Sequence, residues 1–169
     1  MRPSTDQKVV APLYTPEQRR RRDATPWTLV QGILAPAQFV AFLVSVVLVS
    51  RALHTGEGVT AASVSVVVKT LFLYAIMVTG AIWEKRVFGR YLFAAAFFWE
   101  DAFSMIVIAL HTAYLGALFT GALGTRGQLL LALAAFAAYA INATQFILKL
   151  RAARLGEAAS VSTSLAGST

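Results

Sequence analysis

Residues 24–50 contain no Asp, Glu, Lys or Arg, and neither do residues 102–125 or 127–148. A fourth stretch, Val59 to Trp83, is apolar apart from Lys69. A helix crosses the hydrocarbon core of a bilayer with about 20 predominantly apolar residues. Four such stretches in one short chain constrain the fold more than any other feature. They predict four transmembrane helices, at about 28–51, 61–83, 97–121 and 127–149, and an all-α, integral membrane four-helix bundle.

Composition agrees. Of 169 residues, 57% are hydrophobic and 14% charged, where a soluble domain carries about 25% charged residues. No cysteine is present. Disulfides, thiolate metal sites, iron–sulfur clusters and thiol nucleophiles are therefore excluded. Two histidines, His54 and His111, are too few for a multi-histidine metal site within one chain. The net charge of +7 would suit nucleic acid, but its distribution does not. The basic residues sit between apolar stretches, as in a membrane protein with basic loops.

Those loops predict orientation. Arg2, Lys8 and Arg19 to Arg22 precede the first span, Lys85, Arg86 and Arg90 follow the second, and Lys149, Arg151 and Arg154 follow the fourth. Twelve of the 15 basic residues thus fall on one side, and the positive-inside rule predicts both termini in the cytoplasm. The first 27 residues are polar and basic rather than the apolar core of a signal peptide. They divide off as a cytoplasmic N-terminal segment with a short interfacial helix. Thr15 is its N-cap, Pro16 its first residue, and Gln18 is placed for a capping box. Residues 28–151 form the transmembrane domain. Residues 152–169 read as a flexible cytoplasmic tail, small and polar from Gly156 onward.

Polar groups inside a bilayer are costly, so each needs a reason. By depth, Gln31, Glu84, Glu100, Asp101, Ser104, Asn142 and Gln145 gather toward the cytoplasmic ends of their helices. Lys69 and His111 lie deeper and could share a layer. Glu100, Ser104 and His111 are spaced by 4 and 7 and share one face of the third span. Glu100 and His111 are nevertheless about 16 Å apart along the axis, too far to act on one bond. Asp101 is rotated by about 100° and faces elsewhere.

Each of these residues also has a plain structural reading. Glu84 beside Lys85 and Arg86 suits a helix-end charge at the headgroups. Lys69 could snorkel outward, and His111 could bond a backbone carbonyl. Pro36 predicts a kink against the carbonyl of Gly32, either widening a pocket beside Gln31 and Gln38 or simply tolerated. The aromatic run Phe88 to Trp99 suits an interfacial belt, or, in part, contact with a flat ligand.

Three ordered blocks carry a resemblance to a known family: PLYTPEQRRRRDATPWTLVQG, VVVKTLFLYAIMVTGAIWEK and FFWEDAFSMIVIALHTAYL. Together they resemble the 3-vinyl bacteriochlorophyllide hydratases (chlorophyllide a 3-vinyl hydratases) of anoxygenic phototrophs. The likeness runs from about Pro12 to Arg154. It implies a hydro-lyase of bacteriochlorophyll synthesis that adds water to the C3-vinyl group of chlorophyllide a or 3-vinyl bacteriochlorophyllide a, giving a 1-hydroxyethyl group. It implies no cofactor, the magnesium belonging to the chlorin substrate. The cytoplasmic (inner) or intracytoplasmic membrane is the implied location. Pigment and lipid are the implied partners, with no nucleic acid. A homo-oligomer or an association with other pigment-synthesis enzymes is compatible with it.

Vinyl hydration needs a proton delivered to the terminal carbon, a cation stabilised by the macrocycle, and a water whose proton a base removes. The acid must be a carboxylic acid kept partly protonated by apolar surroundings. Glu100, opening a long apolar span, is the first candidate. Asp101 suits a water-orienting base or a structural group, and Glu84 is a third candidate if the second and third spans are neighbours. Ser104, Asn142 and Gln145 suit positioning of water or of the propionate and keto groups. Trp99 and Gln31 suit substrate contact, His111 an axial ligand to the substrate's magnesium, and Lys69 a partner for a substrate carboxylate. Two other classes compete. A non-catalytic pigment-binding or assembly protein would share the aromatics and His111 without needing buried carboxylates. A small transporter or accessory subunit would show repeats or broken helices.

Overall fold

The computed structural model describes residues 13–166, with side chains through residue 155. Five helices follow in chain order: α1 Pro16–Ala24, α2 Pro26–Thr55, α3 Val59–Phe88, α4 Phe98–Thr120 and α5 Thr125–Ala166. The last four are long and apolar enough to cross a membrane.

α1 begins as the sequence predicts. Thr15 accepts from the Gln18 N–H at 3.2 Å, while Gln18 Oε1 accepts from the Thr15 N–H at 2.9 Å. Glu17 and Arg21 pair along the helix. Pro26 then opens α2 as its first residue, where a missing N–H costs nothing. The turn between the helices is tied down by Thr28 Oγ1, which donates to the Arg22 carbonyl at 2.5 Å and accepts from Trp83 Nε1 at 3.0 Å. α1 is thereby held against α3. Residues 1–12 of the basic segment lie outside the described residues.

α2 stays one helix through Pro36 and stops where glycine allows a left-handed backbone. Gly56 and Gly58, at φ 74° and 72°, reverse the chain in three residues. α2 and α3 therefore pack as an antiparallel hairpin, and α4 and α5 form a second one. Three ties set the α2/α3 register: Trp83 to Thr28 at 3.0 Å, Gln31 Nε2 to Thr79 Oγ1 at 2.7 Å, and Ser45 Oγ to the Ser65 carbonyl at 3.0 Å. The two hairpins meet through α2 against α5 and α3 against α4.

Apolar packing forms a cluster at each end and one between them, where Leu73, Val107 and Tyr139 pack with Phe42 and Met77. Near the interhelical turns, Val49, Ala52, Ala62, Val66, Tyr114, Leu129, Ala132 and Phe136 form one cluster. At the other end Tyr14, Val87 and Phe97 pack with Trp83, Phe88 and Phe146. The aromatic run therefore divides. Phe88 and Phe97 are packed inward, their rings 5.8 Å apart, while Tyr91, Phe98 and Trp99 are exposed.

The helices outrun the apolar stretches that predicted them. α5 also stays helical to Ala166, through the segment the sequence reads as a flexible tail. Gly156 costs a helix only about 1 kcal/mol, and the alanine- and leucine-containing segment around it continues the turn.

Candidate active site at the end of α3 and α4

Gly89, at φ 83°, ends α3, and the chain crosses to α4 as a short strap, residues 89–97. Phe93 in this strap holds a φ of 58°, left-handed and unusual for an aromatic residue. That conformation aims two successive N–H groups at carboxylates. Phe93 N–H donates to Asp101 Oδ2 at 2.7 Å, and Ala94 N–H donates to Glu84 Oε2 at 3.2 Å. The Glu84 and Asp101 carboxyls, from α3 and α4, lie side by side beneath the strap. Both are buried, at 5% and 4% exposure.

Glu100 faces the other way, as its helical phase predicts. Its Oε2 accepts from Lys149 Nζ on α5 at 2.6 Å, and the same ammonium lies 5.1 Å from the Phe97 ring centre. One turn further into the helices, Asn142 Nδ2 donates to Ser104 Oγ at 2.9 Å. Gln145 follows Asn142 by three residues on α5, so it lies on the same face between Asn142 and Lys149. All three carboxylates, Ser104, Asn142 and Gln145 thus come together at one end of the long helices.

The remaining candidates lie elsewhere. The Gln31 carboxamide is bonded to Thr79 and ties α2 to α3. Trp99 is 71% exposed and extends an aromatic surface on the strap side, with Phe93, Phe98 and Trp99 in contact at ring separations of 5.7 and 5.5 Å. Lys69 and His111 do share a layer, but as partners of each other. Lys69 Nζ lies 2.6 Å from His111 Nε2, and His111 Nδ1 lies 2.8 Å from the Val107 carbonyl. Both side chains are fully buried, so Lys69 does not snorkel. It points inward because the imidazole accepts its N–H and the Tyr139 face lies 4.1 Å away. Both nitrogens of His111 are thus engaged by the protein.

Sequence reasoning missed Lys149 as the partner of Glu100, having counted it only as an orientation charge. It also missed the two strap N–H donors. No side-chain pattern announces them, since they depend on the backbone at Phe93.

Four membrane-length apolar helices with a buried pair of carboxyls at one end define a multi-pass membrane protein whose intramembrane acids form a candidate site. A family profile described as 2-vinyl bacteriochlorophyllide hydratase matches residues 14–152, and the chain belongs to that family. A curated protein named 2-vinyl bacteriochlorophyllide hydratase from Rhodobacter capsulatus is 70% identical over 143 residues, 85% of this chain and 83% of the relative. One of the same name from Cereibacter sphaeroides is 64% identical over 156 residues, 92% of this chain and 96% of the relative. The 2-vinyl group of those names and the C3-vinyl group above are one substituent in two ring numberings. No solved structure matches the chain.

Proposed function

We propose that this chain is a hydratase of bacteriochlorophyll synthesis that adds water to the vinyl group of a bacteriochlorophyllide or chlorophyllide, with the Glu84–Asp101 pair as its proton source. The observation that carries the assignment is the placing of these two buried carboxyls side by side, each accepting a strap N–H. A pair that holds one proton can give it up and take it back.

The atoms balance as follows. The shared proton passes to the terminal vinyl carbon, and the alkene electron pair forms the new C–H bond. The cation left on the inner carbon is stabilised by conjugation with the macrocycle. Water oxygen attacks that carbon, and its surplus proton returns to the Glu84–Asp101 pair. The pair ends as it began, and H and OH have been added across the double bond. No cofactor takes part, and magnesium belongs to the substrate.

Glu100, the first candidate by sequence, fits another role. Its ion pair with Lys149 fixes the α4/α5 contact and places charge that steadies the developing cation. The Phe93–Phe98–Trp99 surface fits the flat face of the pigment. Ser104, Asn142 and Gln145 fit the handling of water. Lys69, His111 and Gln31 hold the helices in register. The four helices form a membrane bundle with both termini on the cytoplasmic side, in the inner or intracytoplasmic membrane. The carboxyl site then opens near the cytoplasmic face.

The test is conversion in membranes containing the full chain. Vinyl pigment should gain the mass of one water with the wild type and not with Asp101→Asn, while pigment binding persists. Normal product from Asp101→Asn would refute the proton source. No water gain with the wild type would refute the hydratase reading itself.

A further inference from the structure

Buried polar atoms in folded proteins nearly always have partners, so those that lack one need an account. Five buried side-chain atoms accept no hydrogen bond among the described residues: Gln38 Oε1, Asn142 Oδ1, Gln145 Oε1, Gln128 Oε1 and the Tyr114 hydroxyl oxygen. The last two lie toward the interhelical turns, where Gln128 Nε2 donates to the Tyr114 carbonyl beside the apolar cluster of Val66, Ala132 and Phe136. The first three occupy one region between the carboxyl pair and the Lys69–His111 pair.

Register places them. On α5, Tyr139, Asn142 and Gln145 follow at steps of three, so each neighbouring pair shares a side while the row turns by about 120° from first to last. Lys69 lies over Tyr139, and Lys149, one turn beyond Gln145, holds Glu100. From Tyr139 to Gln145 is about 9 Å of helix. On α2, Gln38 lies seven residues from both Gln31 and Ser45, each of which bonds to α3. Gln38 therefore faces the same neighbour midway between those ties, at about the level of residues 69–73 of α3. It is 3% exposed.

The unpaired groups are complementary to one small molecule. All three are carbonyl oxygens that need a donor. Lys69 has three N–H donors, one engaged by His111 and one directed toward the Tyr139 ring. Water donates to carbonyls and accepts from an ammonium. A single water needs only two to four polar partners and very little room.

We propose that Gln38, Asn142 and Gln145 hold a short file of water between the Lys69–His111 pair and the Glu84–Asp101 carboxyls, and that this file supplies the water consumed in the hydration. The site stands on the packing alone, whereas its role in supply rests on the carboxyl pair being the catalytic acid. A hydratase acting on a pigment that covers its cytoplasmic opening needs a second source of water, and the file lies on the protein side of that pigment. Gln38, Asn142 and Gln145 are positioning residues in this scheme. They touch the water before it reacts.

The test uses Gln38→Met and Gln145→Met, which keep the length of the side chain and remove the amide. Neither amide bonds to the protein among the described residues, so a purely structural role predicts unchanged activity and equal or greater stability. A water-holding role predicts kcat lower by about tenfold or more, with KM for the vinyl pigment unchanged. Gln145→Glu, which keeps a carbonyl acceptor, should recover part of the loss. Radiolytic hydroxyl labelling of the full chain in membranes reads the file without reference to activity. Tyr139, only 8% exposed, should be labelled in the wild type and less so in the double methionine variant. Absence of label on Tyr139 in the wild type would overturn the site. Unchanged kcat in both variants would overturn its role in supply. Full activity in Asp101→Asn would instead refute the carboxyl assignment, and the labelling result would still decide whether the file exists.

Discussion

Lys149 Nζ on α5 and Glu100 Oε2 on α4 lie 2.6 Å apart, with exposures of only 27% and 9% for the two side chains. That contact separates two adjacent acidic residues by partner. Glu100 is paired with a cation, while Asp101, one residue on, lies beside Glu84 and accepts from the Phe93 N–H.

A graded response to amide substitution follows. Glu84→Gln and Asp101→Asn should each lower kcat by about 10²–10⁴-fold, the range for a removed general acid or base. Glu100→Gln leaves the proton-holding pair intact and should cost about tenfold, from weaker electrostatic support of the cation. Steady-state rates on the vinyl pigment measure the order. If Glu100→Gln proved the most damaging of the three, the proton would have to be assigned to Glu100.

Stability around this contact should be non-additive. Lys149→Met leaves a buried carboxylate without its partner and should cost about 1–3 kcal/mol. Adding Glu100→Gln to Lys149→Met should recover most of that, because the uncompensated charge is gone. Thermal unfolding of the single and double variants in detergent measures the cycle. Additive losses would show that the pair contributes little beyond two independent side chains.

Much of this arrangement was legible in the sequence, and the illegible parts share a cause. The four spans follow from missing charges, and the start of α1 from Thr15 and Gln18, because each signal is local. The divergence of Glu100 and Asp101 follows from helical phase. Helix ends were less legible, since Gly56 and Gly89 set them by backbone conformation and not by hydropathy. Lys149 as the partner of Glu100 depends on the register of α4 against α5, which no local pattern states. The inward turn of Lys69 likewise depends on His111 arriving from another helix.

The Lys69–His111 contact separates two roles for the histidine. His111→Leu alone removes the acceptor for a fully buried ammonium and should sharply reduce folded protein. Pairing His111→Phe with Lys69→Met removes both polar groups at once and should restore folding in large part. Pigment affinity and the pigment's absorption bands should be unchanged in that double variant if His111 serves the fold. A lost or shifted pigment spectrum in well-folded double variant would mark His111 as the magnesium ligand.

Phe93 joins backbone geometry to the aromatic surface proposed for the pigment, and the two can be separated. A left-handed conformation costs a non-glycine residue about 1–2 kcal/mol, so Phe93→Gly should relieve strain while keeping the N–H that holds Asp101. It also removes one ring from the exposed Phe93–Phe98–Trp99 surface. The expected result is equal or higher thermal stability, little change in kcat, and KM for the pigment raised by about 3–10-fold, one aromatic contact being worth about 0.5–1.5 kcal/mol. Trp99→Ala should raise KM in the same way, with no effect on the strap. A fall in kcat for Phe93→Gly at unchanged KM would mean that the ring fixes the strap and does not carry the pigment. The aromatic surface would then belong to the lipid interface.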